Sequence, residues 1–352
     1  MLRIRKEALK PGMRLAKPIF TEEDQLLLHK GELLKGPFIQ RMKNYDVKEV
    51  YIDWHHQYPM EIMEGIIQDT QNQIQDQFKT SFSRLIDNKN SEFEKIENLV
   101  EEILSEILEN KKLLIDLTEV RSTDNYTFAH SVNVCILAMI LGKSIGYGKK
   151  NLKKIGLGAL LHDIGKVGVD EEILKKSKGL TDGEYGEIKR HTTKGYELVK
   201  SLDLLCEESR RIVRDHHEWV NGKGYPKGLK GGEIHPFARI VGICDQFDAL
   251  STDRVYRKAW SFSDVVEYLI VYQGEIFDEN FVQAFLRSFE VYLEGRLIEL
   301  SSGRNAVVRK FNRSFPTRPM IQVIQREAKG IIEQELLDLT KIHNEKIVKV
   351  YH

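Results

Sequence analysis

The sequence predicts a mainly α protein, in which a central all-α domain lies between a small N-terminal α+β module and a short C-terminal β appendage. Helical periodicity of apolar residues runs through most of the chain from about residue 61 to residue 293. Both ends instead carry short apolar runs bounded by turn residues. The 352 residues suffice for two or three domains of ordinary size.

The N-terminal module, residues 1–58, is a candidate regulatory module of α+β type. Its turn signals are Pro11-Gly12 and Lys30-Gly31. The predicted elements are strands over residues 13–20, 25–29 and 49–52, with a short helix over 37–45.

A helical linker is predicted over residues 59–118. Apolar side chains recur there at spacings of three and four, which places them on one helix face: Phe93, Ile96, Val100, Ile103, Leu104 and Ile107. This face could pack on the next domain or on a second subunit, and the sequence leaves both open.

The central domain, residues 119–294, reads as helix nearly throughout. The predicted helices cover residues 125–144, 151–166 with Asn151 as cap, 204–218 and 236–252, and two more follow Ser261 and Asp278. Residues 219–236 contain five glycines and two prolines, which predicts an irregular loop.

The C-terminal segment, residues 295–352, is predicted to form the β appendage followed by a helix. Three strand-like runs, residues 296–300, 305–311 and 319–324, suggest a small antiparallel unit. The last 25 residues are rich in charge and are predicted to be helical.

Charge and cysteine content narrow the function classes. Lysine plus arginine and aspartate plus glutamate both number 53, which argues against a chain-wide grip on nucleic acid or on an anionic membrane. Three widely spaced cysteines favour a reducing compartment and argue against thiolate-bound zinc. The N-terminus is charged, unlike a signal peptide, and the most apolar stretch, Val134 to Leu141, is too short to span a bilayer. We therefore expect a cytoplasmic protein.

Histidine and aspartate side chains stand at inward or helix-end positions of the central domain. His130, for example, shares a helix face with Val134 and Leu141. A lone inward histidine is ordinarily a hydrogen-bonded core residue, and a histidine pair at a helix end can cap carbonyl groups. Several helices that aim imidazoles and carboxylates at one place instead favour a metal centre, because such groups are costly to bury unpaired. The set is His130, His162, Asp163, His191, His216, His217 and Asp245.

The ligand types limit the metal and its chemistry. Imidazole and carboxylate without thiolate suit Fe, Mn, Zn, Co or Ni, and a carboxylate can bridge two ions. A two-metal site activates water and holds both oxygens of an in-line displacement at phosphorus. Lys166 follows Asp163 by three residues, so the two side chains can meet.

Three strings carry a family resemblance: Leu161-His162-Asp163-Ile164-Gly165-Lys166, His216-His217-Glu218, and Gly222-Lys223-Gly224-Tyr225-Pro226. With flanking positions they cover about 170 residues in the right order, and they resemble the HD-GYP branch of the HD-domain metal-dependent phosphohydrolases. The resemblance implies an HD-type helical catalytic domain. It also implies hydrolysis of cyclic di-GMP, a bacterial second messenger, to pGpG or onward to GMP.

The resemblance also implies residue roles. It places His130, His162, Asp163 and Asp245 around one divalent ion, and Asp163, His191, His216 and His217 around the other, with Fe or Mn favoured. Asp163 and Lys166 would be catalytic, the first bridging the ions that activate a water and the second neutralising a phosphate oxygen. The implied substrate-binding residues are Gly224, Tyr225, Pro226, Arg254 and Arg257, and Asp248 and Glu218 would support the ligands from behind.

Two departures from the family pattern bear on function. Asn221 stands where an aspartate is more frequent, and we expect it to tune activity rather than abolish it. Tyr126 stands where some members supply a glutamate to a third metal, which favours a two-metal centre and pGpG as the main product.

Two other functions stay open. One is a catalytically weak receptor or scaffold for cyclic di-GMP, motivated by Asn221. The other is an HD hydrolase of a different nucleotide, such as (p)ppGpp or a dNTP, which the Gly-Tyr-Pro loop disfavours. The expected partners are cyclic di-GMP itself, a diguanylate cyclase or other signalling proteins, and a second copy of the chain in a homodimer.

Overall fold

The chain divides into two compact units, one formed by residues 1–67 together with 292–352 and the other by residues 68–291. The structure, a computed structural model, describes residues 2–5, 14–20, 26–32, 34–42, 49–52, 64–85, 89–109, 126–174, 176, 179–252, 258–289, 292, 294–312, 315–327 and 330–351. Within those ranges, no helix combines the length and the apolar character needed to cross a bilayer.

The N-terminal part of the first unit is α+β, as predicted. Its elements are β1 (Leu2–Arg5), β2 (Ile19–Phe20), β3 (Leu26–Leu28), α1 (Gly36–Met42) and β4 (Glu49–Ile52). β1 pairs antiparallel with β4, and β2 pairs with β3. β1 was not predicted, although its apolar and charged residues alternate as they do in a half-buried strand.

The C-terminal part of the same unit is a five-stranded antiparallel sheet in the order β8-β7-β6-β5-β9. Its strands are β5 (Leu297–Leu300), β6 (Asn305–Lys310), β7 (Met320–Glu327), β8 (Gly330–Asp338) and β9 (Ile347–Tyr351). The three predicted strands are confirmed, but the predicted C-terminal helix is wrong, because β8 and β9 occupy that segment. Pairing with β7 and β5 overrides a charge-rich local pattern, since an edge strand can keep charged side chains in solvent.

The second unit is all-α. Its helices are α2 (Glu64–Arg84), which begins just before the boundary, α3 (Lys89–Glu109), α4 (Tyr126–Ser144), α5 (Lys149–Leu160), α6 (Glu171–Leu174), α7 (Asp182–Lys189), α8 (His191–Ser201), α9 (Glu207–Asp215), α10 (Pro236–Ser251), α11 (Phe262–Val271) and α12 (Glu279–Ser288). α4, α5, α9 and α10 pack on one another around fully buried aliphatic side chains such as Val134, Ile155 and Val241.

The apolar face of α3 packs inside this unit, on α5 and α4. Ile96, Val100 and Leu104 are fully buried there. Of the two partners that the sequence left open, the face therefore takes the neighbouring helices. The sequence predicts a linker over 59–118 that is separate from the catalytic domain at 119, whereas the compact helical unit begins at Gln68 and includes most of that linker.

Some helix ends were predicted correctly and others were not. Ser261 and Asp278 accept hydrogen bonds from backbone amides and begin α11 and α12 as expected. The predicted helix 151–166 is wrong at both ends, because Gly148 precedes its first turn and α5 ends at Leu160. A 3-10 turn, Ile164–Gly168, follows. α9 ends at Asp215, so His216 and His217 lie just beyond it.

Candidate metal centre

The seven predicted ligand residues come together at one place in the helical unit. They arrive from α4 (His130), the turn after α5 (His162 and Asp163), the start of α8 (His191), the residues after α9 (His216 and His217) and α10 (Asp245). Six of them are buried, and the His217 side chain keeps 26% of its surface exposed. One side of the cluster thus opens at His217.

The first group of potential ligands is His130, His162 and Asp245. Nε2 of His130 lies 3.1 Å from Oδ1 of Asp245, and Nε2 of His162 lies 3.9 Å from the same oxygen. Three donor atoms on three different segments therefore surround one point.

The second group is His191, His216 and His217. Nε2 of His191 lies 3.4 Å from Nε2 of His216. The rings of His216 and His217 have their centroids 4.1 Å apart and their planes tilted by 45°. Three imidazoles thus offer nitrogen atoms to a second point.

Asp163 lies between the two groups. Its Oδ1 is 3.3 Å from Nε2 of His191, and its Oδ2 is 3.4 Å from Nε2 of His162. The two oxygens of one carboxylate consequently face different imidazole groups.

Backbone carbonyls orient three of the histidines. Nδ1 of His162, His191 and His216 donates to main-chain oxygen at 2.6–3.0 Å, which leaves each Nε2 directed into the cluster. The acceptors are Ala159, Ile188 and Ile212. The helix ends therefore fix the tautomer that a metal requires.

A carboxylate performs the same task for His130. Nδ1 of His130 donates to Oδ2 of Asp248 at 2.7 Å, and Nδ2 of Asn133 donates to Oδ1 of Asp248 at 2.9 Å. Asp248 is buried and lies one turn after Asp245 on α10. Its predicted support of a ligand thus has a geometric basis. Asn133 was missed, although it follows His130 by three residues on a buried helix, where a polar side chain needs a partner.

Burial and charge set the protonation of the cluster. Burial lowers the pKa of His191 and His216 and brings that of His217 to about 3, so these rings are neutral at pH 7. Burial also disfavours the charged form of His130, but hydrogen bonds and charge from Asp245 and Asp248 outweigh it and raise its pKa to about 9.

The residues fit divalent metal ions. Nε2 of His162 and Oδ1 of Asp163 are buried without a hydrogen-bond partner, a costly state that a cation at this place would relieve. Imidazole and carboxylate donors accept Fe, Mn, Zn, Co and Ni. The cluster therefore has both the unshared electron pairs and the ligand chemistry of a metal centre.

The turn that carries Asp163 is pressed against α8. A side chain at Gly165 would place its Cβ 1.9 Å from the carbonyl oxygen of His191 and 2.5 Å from the amide nitrogen of Gly195. Only glycine fits, so Gly165 sets the distance between Asp163 and His191. Nζ of Lys166 donates to Oδ2 of Asp163, as the three-residue spacing predicted.

The Gly-Tyr-Pro loop lies against His217. A Cβ at Gly224 would meet the main chain of residues 217–219 within 2.6 Å, and the amide of Tyr225 donates to the carbonyl of His217 at 3.1 Å. The Tyr225 ring lies 4.8 Å from the His217 ring at an angle of 32°. Tyr225 precedes Pro226 through a cis peptide bond. The loop thus lines the open side of the cluster.

Glu218 and Asn221 hold this loop. The Glu218 carboxylate accepts from the amides of Lys227 at 2.6 Å and Leu229 at 2.9 Å. We expected Glu218 to support a metal ligand, whereas these hydrogen bonds support the loop. Asn221 donates to Oε2 of Glu275 at 3.0 Å and accepts from the amide of Lys223.

Three predicted positions cannot be placed. Arg254 and Arg257 lie outside the residues that the structure describes. The backbone of Tyr126 begins α4, but its side chain is likewise outside the description.

Comparison with known proteins extends these observations. The HD domain family matches residues 99–281, more than half of the chain. A cyclic di-GMP phosphodiesterase of Pseudomonas aeruginosa is 34% identical over 247 residues, which cover 69% of this chain and 58% of that protein. A 3'3'-cGAMP-specific phosphodiesterase of Vibrio cholerae is 36% identical over 169 residues, 47% of this chain and 38% of that protein.

A solved structure supports the fold. An HDG"Y"P protein from Bdellovibrio bacteriovorus aligns with a TM-score of 0.52 at 19% identity, covering 81% of this chain and 97% of that one. The chain spans little more than half the length of the Pseudomonas relative and less of the Vibrio one. The chain belongs to the HD domain family, and its His-Asp and Gly-Tyr-Pro motifs place it in the HD-GYP branch.

Proposed function

We propose that this protein is a metal-dependent phosphodiesterase that hydrolyses cyclic di-GMP to pGpG at a two-metal site. The observation that carries the proposal is the position of Asp163, whose two oxygens face two separate imidazole groups. His130, His162 and Asp245 would complete one ligand set, and His191, His216 and His217 the other.

Bound divalent ions would supply an acidic water as nucleophile and positive charge for the phosphate oxygens. The protein supplies the geometry. Asp163 would hold both ions, while Lys166 would place an ammonium beside the reacting phosphate as negative charge develops. The Lys166 side chain keeps 32% of its surface exposed, so it can leave Asp163 for a substrate oxygen.

The relatives' names support a cyclic dinucleotide as substrate. We place cyclic di-GMP first because the match to the Pseudomonas cyclic di-GMP phosphodiesterase covers 69% of this chain, against 47% for the Vibrio relative. A second candidate is 3'3'-cGAMP, favoured by the Vibrio relative at 36% identity. The two molecules differ in one purine base, so contacts outside the metal centre would separate them.

The product proposal rests on the metal count. Tyr126 replaces the glutamate that would hold a third ion, so two ions and a single cleavage to pGpG are expected. We place the receptor alternative second, because Asn221, its only motivation, has a structural use in the loop: its side chain donates to Glu275.

The test is turnover by the full chain loaded anaerobically with Fe²⁺ or Mn²⁺. Elemental analysis should find two ions per chain, and chromatography should find pGpG from cyclic di-GMP but no product from ppGpp or a dNTP. Asp163→Ala should lose metal and turnover together. Lys166→Ala should keep metal and lose about 100-fold in rate.

His343→Gln is the matched control, because His343 is an exposed histidine of the other unit and should leave both readouts unchanged. Loaded protein that binds cyclic di-GMP without cleaving it would contradict the proposal and favour the receptor. Full rate in Lys166→Ala would remove Lys166 from the mechanism.

A further inference from the structure

Lys189 lies between two tyrosine rings at the open side of the candidate metal centre. It is the last residue of α7, and Tyr185 stands one turn earlier on the same face. Nζ of Lys189 lies 4.5 Å from the centroid of the Tyr185 ring and 5.2 Å from that of the Tyr225 ring. The ammonium therefore bridges α7 and the Gly-Tyr-Pro loop.

Tyr225, which Lys189 contacts, also contacts His217, one of the residues that could bind metal. The Tyr225 ring lies 4.8 Å from the His217 ring, and His191 follows Lys189 by two residues. A molecule that reaches the metal ligands from the His217 side would therefore pass Lys189 and Tyr185.

The charge of Lys189 is not taken up by an acid. Nearby cations are ion-paired: Lys176 with Glu184, Arg190 and Lys194 with Glu187, and Lys166 with Asp163. For Lys189, no carboxylate lies within 4.0 Å among the residues that the structure describes. Aromatic faces attract an ammonium but leave it a full positive charge for an anion.

The substrate chemistry gives this charge a use. A cyclic dinucleotide carries two phosphates, and the metal centre engages only the one that is cleaved. A lysine ammonium is a point charge suited to the remaining phosphate. Tyr185 is 48% exposed, so its ring also offers a face on which a purine base can stack.

We propose that Lys189 and Tyr185 form a recognition shelf for the uncleaved phosphate of a cyclic dinucleotide and its adjacent base. The inference rests on the proposed function and adds a reason for selecting cyclic dinucleotides over esters with one phosphate. Lys189 is a binding residue here and takes no part in bond cleavage.

The test compares cyclic di-GMP with bis(p-nitrophenyl) phosphate, a diester with one phosphate and no purine, on the metal-loaded full chain. Lys189→Gln should raise the KM for cyclic di-GMP by about tenfold, the effect of a lost charge-assisted contact. The loss of kcat/KM on the one-phosphate diester should be at least about fivefold smaller. Lys189→Arg should recover most of the KM, and Tyr185→Ala should raise it more than Tyr185→Phe.

Lys200→Ala is the matched control, because Lys200 also lies over a tyrosine, at 5.9 Å from Tyr196, on a helix that carries no part of the shelf. It should leave the KM unchanged. Equal losses on both substrates in Lys189→Gln would overturn the shelf and assign Lys189 to the support of Tyr225 alone.

Binding separates this proposal from the proposed function. The dissociation constant of a phosphorothioate analogue of cyclic di-GMP should rise about tenfold in Lys189→Gln, whether or not the wild type cleaves the natural ligand. Tight binding without cleavage would defeat the proposed activity and keep the shelf. An unchanged dissociation constant would defeat the shelf while leaving the activity intact, and absence of binding by the wild type would count against both.

Discussion

Asp248 holds His130 from behind, accepting from its Nδ1 at 2.7 Å while Nε2 of the same ring faces Asp245 at 3.1 Å. Two carboxylates of α10, one turn apart, therefore grip opposite sides of one imidazole on α4. Asp245 would bind metal, and Asp248 fixes the orientation of the His130 ring that would bind beside it.

Replacing Asp248 tests this support. Asp248→Asn removes the negative charge behind His130. It also replaces one of the two accepting oxygens by an NH2 group, which would face the N–H of His130 or of Asn133. Metal affinity or turnover should therefore fall by about 10–100-fold. Metal content after dialysis and the rate of cyclic di-GMP cleavage check it. Asp203→Asn, at an exposed aspartate paired with Arg210, is the control and should change neither. Full metal retention in Asp248→Asn would show that the backbone-held histidines suffice.

Metal affinity should rise with pH because His130 holds a proton in the metal-free protein. Its pKa is raised to about 9, so an ion that takes Nε2 must displace this proton below that pH. Affinity should increase up to about tenfold per pH unit between pH 6.5 and 8.5. Calorimetric titration in buffers of different ionisation enthalpy would report the released proton. A metal affinity that does not change with pH would contradict the protonation of His130 in the metal-free protein.

The same shift predicts the stability of the metal-free protein. A group whose folded pKa lies above its unfolded value stabilises the fold at low pH and loses that effect as pH rises through the folded value. The contribution of His130 is therefore complete below about pH 6.5 and lost as pH approaches 9. Thermal unfolding should show the metal-free protein losing stability across this window. His130→Gln should remove that pH dependence.

The contact at Gly165 should be intolerant of any side chain. Gly165→Ala would force apart the turn of Asp163 and the start of α8, since both clashing atoms belong to the backbone. We expect a loss of about 1–3 kcal/mol in the free energy of unfolding, together with lower metal content. Gly183→Ala in α7 is the control, because its Cβ meets nothing within 4 Å. Similar unfolding curves for the two variants would contradict the close approach.

The hydrogen bond between Asn221 and Glu275 explains why asparagine is acceptable in this loop. Asn221→Asp would set two carboxylates against each other at an exposed site, so we expect a loss below about 1 kcal/mol in stability and roughly a two- to fivefold higher KM. Adding Glu275→Gln should restore both values. A double-mutant cycle without coupling would exclude this contact as the cause.

The cluster was partly predictable, because some of its residues stand in adjacent polar pairs whose chemistry is unusual in a helix core. His162-Asp163 and His216-His217 are examples, and the structure brings both pairs to one cluster. The supporting contacts were harder to predict. Asn133 contacts Asp248, and Lys189 contacts Tyr225, across long stretches of sequence, and no local periodicity reports such pairs.

The errors in the fold have the same origin. The helix predicted to run to Lys166 ends at Leu160, and the turn that follows brings Gly165 against the backbone of α8, a contact distant in sequence. The charged C-terminal segment forms β8 and β9, because strands far along the chain supply its hydrogen bonds. Local patterns describe an element's own residues, whereas these outcomes depend on a partner.

The two ends of the chain share one compact unit, in which β1 contacts β8. In topological terms the helical unit is an insertion: the chain leaves the first unit near residue 67 and rejoins it at residue 292. Deleting either residues 1–67 or residues 292–352 would therefore remove part of the same compact unit. Isolating the helical unit requires two cuts, and a single truncation would report on the integrity of the first unit as much as on any signal passing through it.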